Sequence, residues 1–148
     1  MKIETVNPNQ LRNRMLRLMA SFLMVAITLL TYTATVKASG LLTISPKQAN
    51  ALILKEKGNP DFIILDIRTP GEFETGHIEG AALIDFYAKD FLEKMRNLDK
   101  NKTYLIYCRS ANRSTKTLSL VKDMGFAALY NMDRGIIGWR QDGFEIVK

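Results

Sequence analysis

Short apolar runs alternate with helix-like segments along most of the chain, and this alternation restricts the possible folds more than any other feature. The runs Phe62-Ile63-Ile64-Leu65 and Thr103-Tyr104-Leu105-Ile106-Tyr107 are typical of strands covered on both faces. Residues 82–84 and 127–130 are shorter strand candidates. Because strands that alternate with helices form parallel sheets, the pattern predicts an α/β fold with a mostly parallel central sheet and helices on both faces.

Helix start signals precede several of the segments between the strands. Ser45 is a predicted N-cap, Pro46 fits the first helical position and Gln48 completes a capping box, so a helix is expected over residues 46–57. Four more helices are predicted, over residues 72–75, 85–98, 112–124 and 136–140.

Two of these helices carry specific expectations. Asp85 is the predicted N-cap of the helix over residues 85–98, which has an apolar stripe. In the helix over residues 112–124, three residues are expected to face the core: Leu118, Leu120 and Val121.

The first 38 residues differ in character from the rest. Four basic residues precede an uncharged stretch from Leu18 to Val36, and Val36-Lys37-Ala38 follows. A positive segment, a short apolar core and small residues at a cleavage site are typical of a secretory signal peptide. The sequence therefore predicts a signal peptide over residues 1–38, cleaved after Ala38, and one domain over residues 39–148.

An uncleaved membrane anchor is the alternative, because a bilayer-spanning helix needs only ~20 apolar residues. Either arrangement keeps the basic cluster in the cytoplasm and places the domain outside it. We therefore expect an exported, periplasmic protein, or a membrane-anchored one with its domain outside the cytoplasm.

Most of the positive charge belongs to the N-terminal segment. The chain carries a net charge of +6, and the first 38 residues contribute +4 of it. The remaining charge of +2 is too small to form a basic surface for nucleic acid. Nucleic acid is therefore excluded as a partner class. A membrane is expected to interact only with the N-terminal segment.

Cys108, the single cysteine, follows a predicted strand and precedes a polar loop and a helix start. One cysteine cannot form an intramolecular disulfide, and in an exported protein it indicates intermolecular pairing or a reactive thiol. The strand–loop–helix geometry directs backbone N–H groups and a helix dipole at one point, where a nucleophilic thiolate is stabilised. The alternative is a small buried apolar side chain.

Two stretches resemble the signatures of one family. The segment Leu65-Asp66-Ile67-Arg68-Thr69-Pro70-Gly71-Glu72-Phe73-Glu74-Thr75-Gly76-His77-Ile78-Glu79-Gly80-Ala81 resembles the D-x-R…E-F…G-H-I-x-G-A signature of rhodanese domains. The loop Cys108-Arg109-Ser110-Ala111-Asn112-Arg113-Ser114 resembles their C-R-x-G-x-R-S active-site loop. Order and spacing also match over about residues 41–147, including Gly135…Gly138-Trp139. The resemblance implies a rhodanese-like α/β fold with a sheet of about five strands.

The resemblance also implies sulfur transfer. A rhodanese cysteine attacks the outer sulfur of a small anionic donor such as thiosulfate, and holds it as a persulfide until cyanide or a thiol removes it. Cys108 is then the catalytic residue, with no metal and no cofactor beyond the covalent persulfide. The implied substrate-binding residues are Arg109, Ser110, Ala111, Asn112, Arg113 and Ser114, with Arg113 favoured for direct donor contact.

Other residues of the two motifs have expected supporting roles. Asp66 and Arg68 are expected to pair with each other and organise the loops, since buried charges are usually paired. His77 is expected to pack and form hydrogen bonds rather than act as a base. Ala111 stands where the family usually has glycine, and a positive φ there would impose roughly 1 kcal/mol of strain.

Two other functions compete with sulfur transfer to a small acceptor. Related phosphatases need five residues between cysteine and arginine, whereas only four separate Cys108 from Arg113 and Ser114 follows. The shorter loop fits a sulfur atom better than a phosphoryl group. A persulfide carrier for one protein thiol, or a non-enzymatic binding or sensing module, is the stronger alternative.

Overall fold

The computed structural model describes residues 12–19 and 40–148. The chain divides into two units, Met1–Val36 and Lys37–Lys148. In the first unit, residues 12–19 are helical. The remainder of the expected signal peptide, and its cleavage site after Ala38, lie outside the described residues. In the described part of the chain, no helix has both the length and the apolar character needed to cross a bilayer.

A five-stranded parallel sheet is the centre of the second unit, and it confirms the predicted α/β fold. The strands are β1 (Leu41–Ile44), β2 (Phe62–Asp66), β3 (Ala82–Leu83), β4 (Thr103–Tyr107) and β5 (Ala128–Met132). The order across the sheet is β1-β5-β4-β2-β3, and every neighbouring pair is parallel. Because β4 lies in the middle, the residue that follows it emerges at the centre of the sheet's carboxyl edge.

The described part of this unit has five helices, and four of them contribute buried residues to the cores on the two faces of the sheet. The five helices are α1 (Pro46–Lys55), α2 (Pro70–Glu74), α3 (Phe91–Asn97), α4 (Asn112–Val121) and α5 (Gly135–Gln141). On one face Met95 of α3 and Val121 of α4 pack in a buried cluster that includes Cys108. On the other face Ala49 of α1 and Trp139 of α5 pack in a second cluster. Each face of the sheet therefore has its own core.

The helix start predicted at Ser45 is present as expected. Ser45 Oγ accepts a hydrogen bond from the Gln48 N–H, and the Gln48 side chain accepts one from the Ser45 N–H, which completes the capping box. Thr69 and Glu72 form the same device at the start of α2. This helix, predicted over residues 72–75, therefore begins two residues earlier, at Pro70, and Thr-x-x-Glu carries the capping-box signature that marks its start.

The prediction that Asp85 caps a helix over residues 85–98 is wrong. Asp85 Oδ1 accepts a hydrogen bond from the Tyr87 N–H at 2.9 Å, and this local turn competes with helix formation. The helix starts six residues later, at Phe91.

Leu120 was expected to face the core and does not, since its side chain is 48% exposed. The buried residues of α4 are Ser114, Thr117 and Val121, which lie on one face at spacings of three and four. Leu120 lies off that stripe. Strand β1 was not predicted individually, because half of its four residues are exposed at the edge of the sheet.

Candidate active site

Cys108 lies directly after β4, at the carboxyl edge of the sheet and below a polar loop. Its side chain is only 1% exposed. The hydroxyl of Ser114, itself fully buried, lies 3.7 Å from Cys108 Sγ and 3.1 Å from the carbonyl oxygen of Ala111. The thiol is therefore held in a closed environment with one polar neighbour that reaches its sulfur.

The loop above Cys108 contains a run of unused backbone donors. In the chain from residue 40 to 148, no N–H group of residues 109–114 donates a hydrogen bond to another protein group. The last three of these groups belong to the first turn of α4, where N–H groups lack helical partners and the helix dipole is positive. A run of unpaired N–H groups at a helix N-terminus, directly after Cys108, is suited to bind a negatively charged atom.

Ala111 adopts a left-handed conformation at the start of α4, with φ at 72°. This is the positive φ at which strain was expected for alanine. A Cβ costs about 1 kcal/mol there, which glycine would avoid. The N–H of Ala111 remains one of the six unpaired donors of residues 109–114.

The first turn of α5 fixes the orientation of the first two peptide groups after Cys108. The N–H groups of Ile136 and Ile137, in the first turn of α5, donate to the carbonyl oxygens of Cys108 and Arg109 at 2.9 and 3.1 Å. Gly135 has φ at +54°, and a Cβ on it would overlap the Cys108 carbonyl oxygen. The close approach of α5 to the cysteine therefore depends on glycine at this position.

Arg113 closes the loop, and its guanidinium forms a bidentate ion pair with Glu72 of α2. The two hydrogen bonds measure 2.7 and 2.8 Å. They lower the pKa of Glu72 to about 2 and raise that of Arg113 above its ordinary value. The guanidinium also lies 5.5 Å from the centre of the Tyr87 ring. The guanidinium is thus paired with Glu72 in this structure, and the expected direct contact of Arg113 with the donor stays a prediction.

Asp66 and Arg68 pair with each other, as expected, at the carboxyl end of β2. The Arg68 side chain donates to both carboxylate oxygens of Asp66 and to the Gly76 carbonyl oxygen, and both charged residues are buried. Burial opposes the charge of Arg68, but the bonds to Asp66 keep its pKa above the ordinary value. The pair ties β2 to the turn that carries His77.

Tyr107 and His77 complete the support beneath this turn. The hydroxyl of Tyr107 accepts a hydrogen bond from the Ile78 N–H at 3.1 Å. Burial, followed by the nearby charge of Asp66, raises the pKa of Tyr107 above its ordinary value. His77 stacks on Phe73 at 3.7 Å between ring centres, and its backbone pairs with Val147. His77 thus packs and forms hydrogen bonds as expected.

The structure brings all the expected loop residues together around Cys108, and adds three that were not assigned a role. Arg109, Ser110 and Asn112 are exposed on the loop, whereas Ser114 is buried beneath it. The additional residues are Glu72, Gly135 and Ile136. Glu72 could have been found from the capping box that it forms with Thr69, but the contact of the α5 turn with the loop has no local sequence signal.

No group of three or more histidine, cysteine, aspartate or glutamate side chains in residues 12–19 and 40–148 is arranged to hold a metal ion.

Comparison with known proteins identifies the family of this domain. A model of the family described as rhodanese-like domain matches residues 45–142. The chain belongs to the rhodanese-like domain family. In this family context, the Asp66–Ala81 segment and the Cys108–Ser114 loop are the two motifs that the fold brings together.

Two curated relatives of this rhodanese-like domain carry enzyme names. Thiosulfate sulfurtransferase GlpE of Pseudomonas entomophila is 35% identical over 98 residues, which cover 66% of this chain and 83% of that protein. A protein named sulfurtransferase from Allochromatium vinosum is 32% identical over 87 residues, which cover 59% and 79%.

A solved structure agrees with the assignment. The crystal structure of a rhodanese-like domain protein from Staphylococcus aureus superposes with a TM-score of 0.58 at 26% identity, over 72% of this chain and 98% of that one. The rhodanese-like fold thus spans most of the second unit.

Proposed function

We propose that this rhodanese-like domain is a sulfurtransferase that takes a sulfane sulfur from a small anionic donor such as thiosulfate and carries it as a persulfide on Cys108. The observation that carries the proposal is the buried cysteine beneath six consecutive N–H groups, none of which is used by the described protein. The names of the two relatives, a sulfurtransferase and a thiosulfate sulfurtransferase, support the same reaction class.

The first half-reaction transfers one sulfur atom to the cysteine. The Cys108 thiolate attacks the outer sulfur of thiosulfate, and a new bond forms between Sγ and that sulfur. The bond between the two sulfur atoms of thiosulfate breaks, and sulfite departs with its electron pair. Thiolate and thiosulfate carry three negative charges together, and so do the persulfide anion and sulfite.

The loop stabilises the product of this step. The persulfide carries a negatively charged terminal sulfur one bond beyond Sγ, and the N–H groups of residues 109–114 are free of protein acceptors in the described chain and available to it. Preorganised backbone donors stabilise developing negative charge without reorganisation, so they lower the barrier as well as the energy of the intermediate. The Ser114 hydroxyl is close enough to interact with the sulfur of Cys108.

The second half-reaction removes the outer sulfur. Cyanide attacks it to give thiocyanate, or a thiolate attacks it to give a new persulfide, and in both cases the Cys108 thiolate is restored with no change in total charge. Arg109 and Ser110 are exposed on the loop. Arg109 makes no ion pair with any residue that the structure describes, and its charge attracts an anionic donor or acceptor to this side of the loop.

The remaining residues support the loop. Arg113 closes the loop and is held in place by its bidentate pair with Glu72. The buried pair of Asp66 and Arg68 holds the neighbouring turn in place. The reaction uses no cofactor other than the covalent sulfur, and we place it outside the cytoplasm on the basis of the N-terminal 38 residues.

Thiocyanate formation from thiosulfate and cyanide tests the proposal. We expect turnover by the wild-type protein and none by Cys108→Ser, with both proteins showing the same circular dichroism and unfolding temperature. Turnover retained in Cys108→Ser would contradict the mechanism. Transfer to a protein thiol without turnover of cyanide would instead indicate a protein-specific persulfide carrier, and absence of both would indicate a binding module.

A further inference from the structure

The ion pair between Glu72 and Arg113 lies at the closing position of the catalytic loop, and its geometry is that of a stable contact. Arg113 Nη2 lies 2.7 Å from Glu72 Oε1, and Arg113 Nη1 lies 2.8 Å from Oε2. The side chains are only 13% and 29% exposed. A bidentate, partly buried arginine–carboxylate pair is among the stronger polar contacts in proteins. Arg113 is therefore held by Glu72 before any donor arrives.

Glu72 is itself fixed by contacts on its own helix. Its Oε2 atom accepts hydrogen bonds from both the N–H and the hydroxyl of Thr69, each at 3.1 Å. Thr69 follows Arg68, whose side chain is locked in the buried pair with Asp66. The carboxylate cannot turn away from Arg113 without breaking the cap of α2.

This pairing determines how much positive charge faces a donor. Arg113 belongs to the same loop as Cys108, and the carboxylate of Glu72 offsets its charge at a distance of one hydrogen bond. Arg109, on the same loop, forms no ion pair with a described residue. The loop therefore presents one uncompensated arginine rather than two, in addition to the partial charges of its N–H groups.

We propose that Glu72 is a specificity-determining residue: by neutralising Arg113 it favours singly charged sulfane donors, such as organic thiosulfonates and persulfides, over the thiosulfate dianion. The inference rests on the proposed sulfurtransferase function and extends it to the choice of donor. A thiosulfonate delivers its outer sulfur to the Cys108 thiolate and leaves as a sulfinate, so both donors form the same persulfide. They differ in the charge that the site must accommodate.

The test compares two donors in one variant with a conservative change. Glu72→Gln keeps an acceptor for the cap of α2 but removes the charge that offsets Arg113. With cyanide as acceptor, we expect the KM for thiosulfate to fall roughly three- to tenfold, on the scale of a partly exposed charge pair. The KM for benzenethiosulfonate should change less than about twofold, so the effect appears as a difference between the two KM values.

Glu74→Gln is the matched control, because it removes the same charge from the exposed end of the same helix. We define the donor ratio as the KM for thiosulfate divided by the KM for benzenethiosulfonate. The donor ratio of Glu74→Gln should equal that of the wild type. The double variant Glu72→Gln/Arg113→Gln replaces a neutral ion pair with a neutral amide pair, and it too should return the donor ratio to the wild-type value. If the single variant does not fold, a lower KM for thiosulfate in the folded double variant still overturns the inference.

Three results would overturn the inference. The first is an equal shift of KM for both donors in Glu72→Gln. The second is a fall of the thiosulfate KM in Glu74→Gln as large as that in Glu72→Gln. The third is a thiosulfate KM that stays below the wild-type value in the double variant. If the wild-type protein turns over neither donor, the proposed function fails together with the inference. Turnover of both donors with an unchanged ratio in Glu72→Gln rejects the inference alone.

Discussion

The N–H of Ile136 donates a hydrogen bond of 2.9 Å to the carbonyl oxygen of Cys108, which joins the start of α5 to the catalytic residue. Ile137 makes the corresponding bond to Arg109. In a trans peptide the C=O and N–H groups point in opposite directions. Holding these two carbonyl oxygens towards α5 therefore turns the N–H groups of Arg109 and Ser110 away from it, where they are available to an anion.

Gly135→Ala tests this orientation, because the added Cβ would overlap the Cys108 carbonyl oxygen. We expect kcat/KM for sulfur transfer to fall roughly 100-fold, the scale on which a misplacement of about 1 Å reduces catalysis. Gly143→Ala is the control: φ is +84° there, but nothing lies within 4 Å of the added Cβ. Equal losses of activity in the two variants would show that backbone strain, and not displacement of the loop, is responsible.

Ala111→Gly tests the strain in the catalytic loop. Because Ala111 has φ at 72°, glycine should relieve up to about 1 kcal/mol of strain and raise the free energy of unfolding measured in urea. The matched control is Ala51→Gly on the exposed side of α1, which should lower the free energy of unfolding by about 1 kcal/mol. A loss of stability in both variants would contradict the assignment of strain to Ala111.

Glu72→Gln should show a pH-dependent effect on stability. Glu72 has its pKa lowered from 4.5 to about 2, chiefly by the hydrogen bonds from Arg113. Since the folded state binds fewer protons than the unfolded state between these values, the contribution of the pair is complete above about pH 4.5 and lost as the pH falls towards 2.

At pH 7 we therefore expect Glu72→Gln to lower the free energy of unfolding by about 1 to 2 kcal/mol, a figure reduced for partial exposure. Urea denaturation of both proteins at a series of pH values measures the difference, which should vanish near the folded pKa. A difference that stays constant from neutral to acidic pH would contradict the prediction.

Asp66→Ala should be severely destabilising. Removing the carboxylate leaves the Arg68 charge buried, and breaking a buried pair in this way costs about 3 to 5 kcal/mol. Asp90→Ala removes a carboxylate from the exposed pair with Lys94, whose side chains are both 51% exposed, and should change stability by less than about 1 kcal/mol. Chemical denaturation compares them, and a similar small cost for both would contradict a structural role for Asp66.

Local sequence signals predicted the fold well wherever they were unambiguous. The continuous apolar runs that became β2 and β4 and the capping box at Ser45 each specify their structure within a few residues. Asp85 failed as a predictor because a carboxylate before a turn and one before a helix look alike, and only the packing that follows separates them.

The candidate site was predictable to the extent that it is contiguous in sequence. Cys108 and the loop residues after it form one segment, and Asp66 and Arg68 are close neighbours of each other. The pairing of Glu72 with Arg113 joins residues 41 positions apart, and the bond from Ile136 to Cys108 joins residues from different strand–helix connections. Such contacts depend on the strand order β5-β4-β2, which periodicity alone does not specify.

The central claim is that Cys108 carries sulfur, and the intact mass of the protein tests it most directly. The purified protein and its Cys108→Ser variant are weighed before and after exposure to thiosulfate, and again after cyanide. We predict that the wild-type protein gains the mass of one sulfur atom and that cyanide removes it, while the variant stays unchanged. A folded wild-type protein that keeps a free thiol and gains no mass, or a gain of equal size in the variant, would contradict the account.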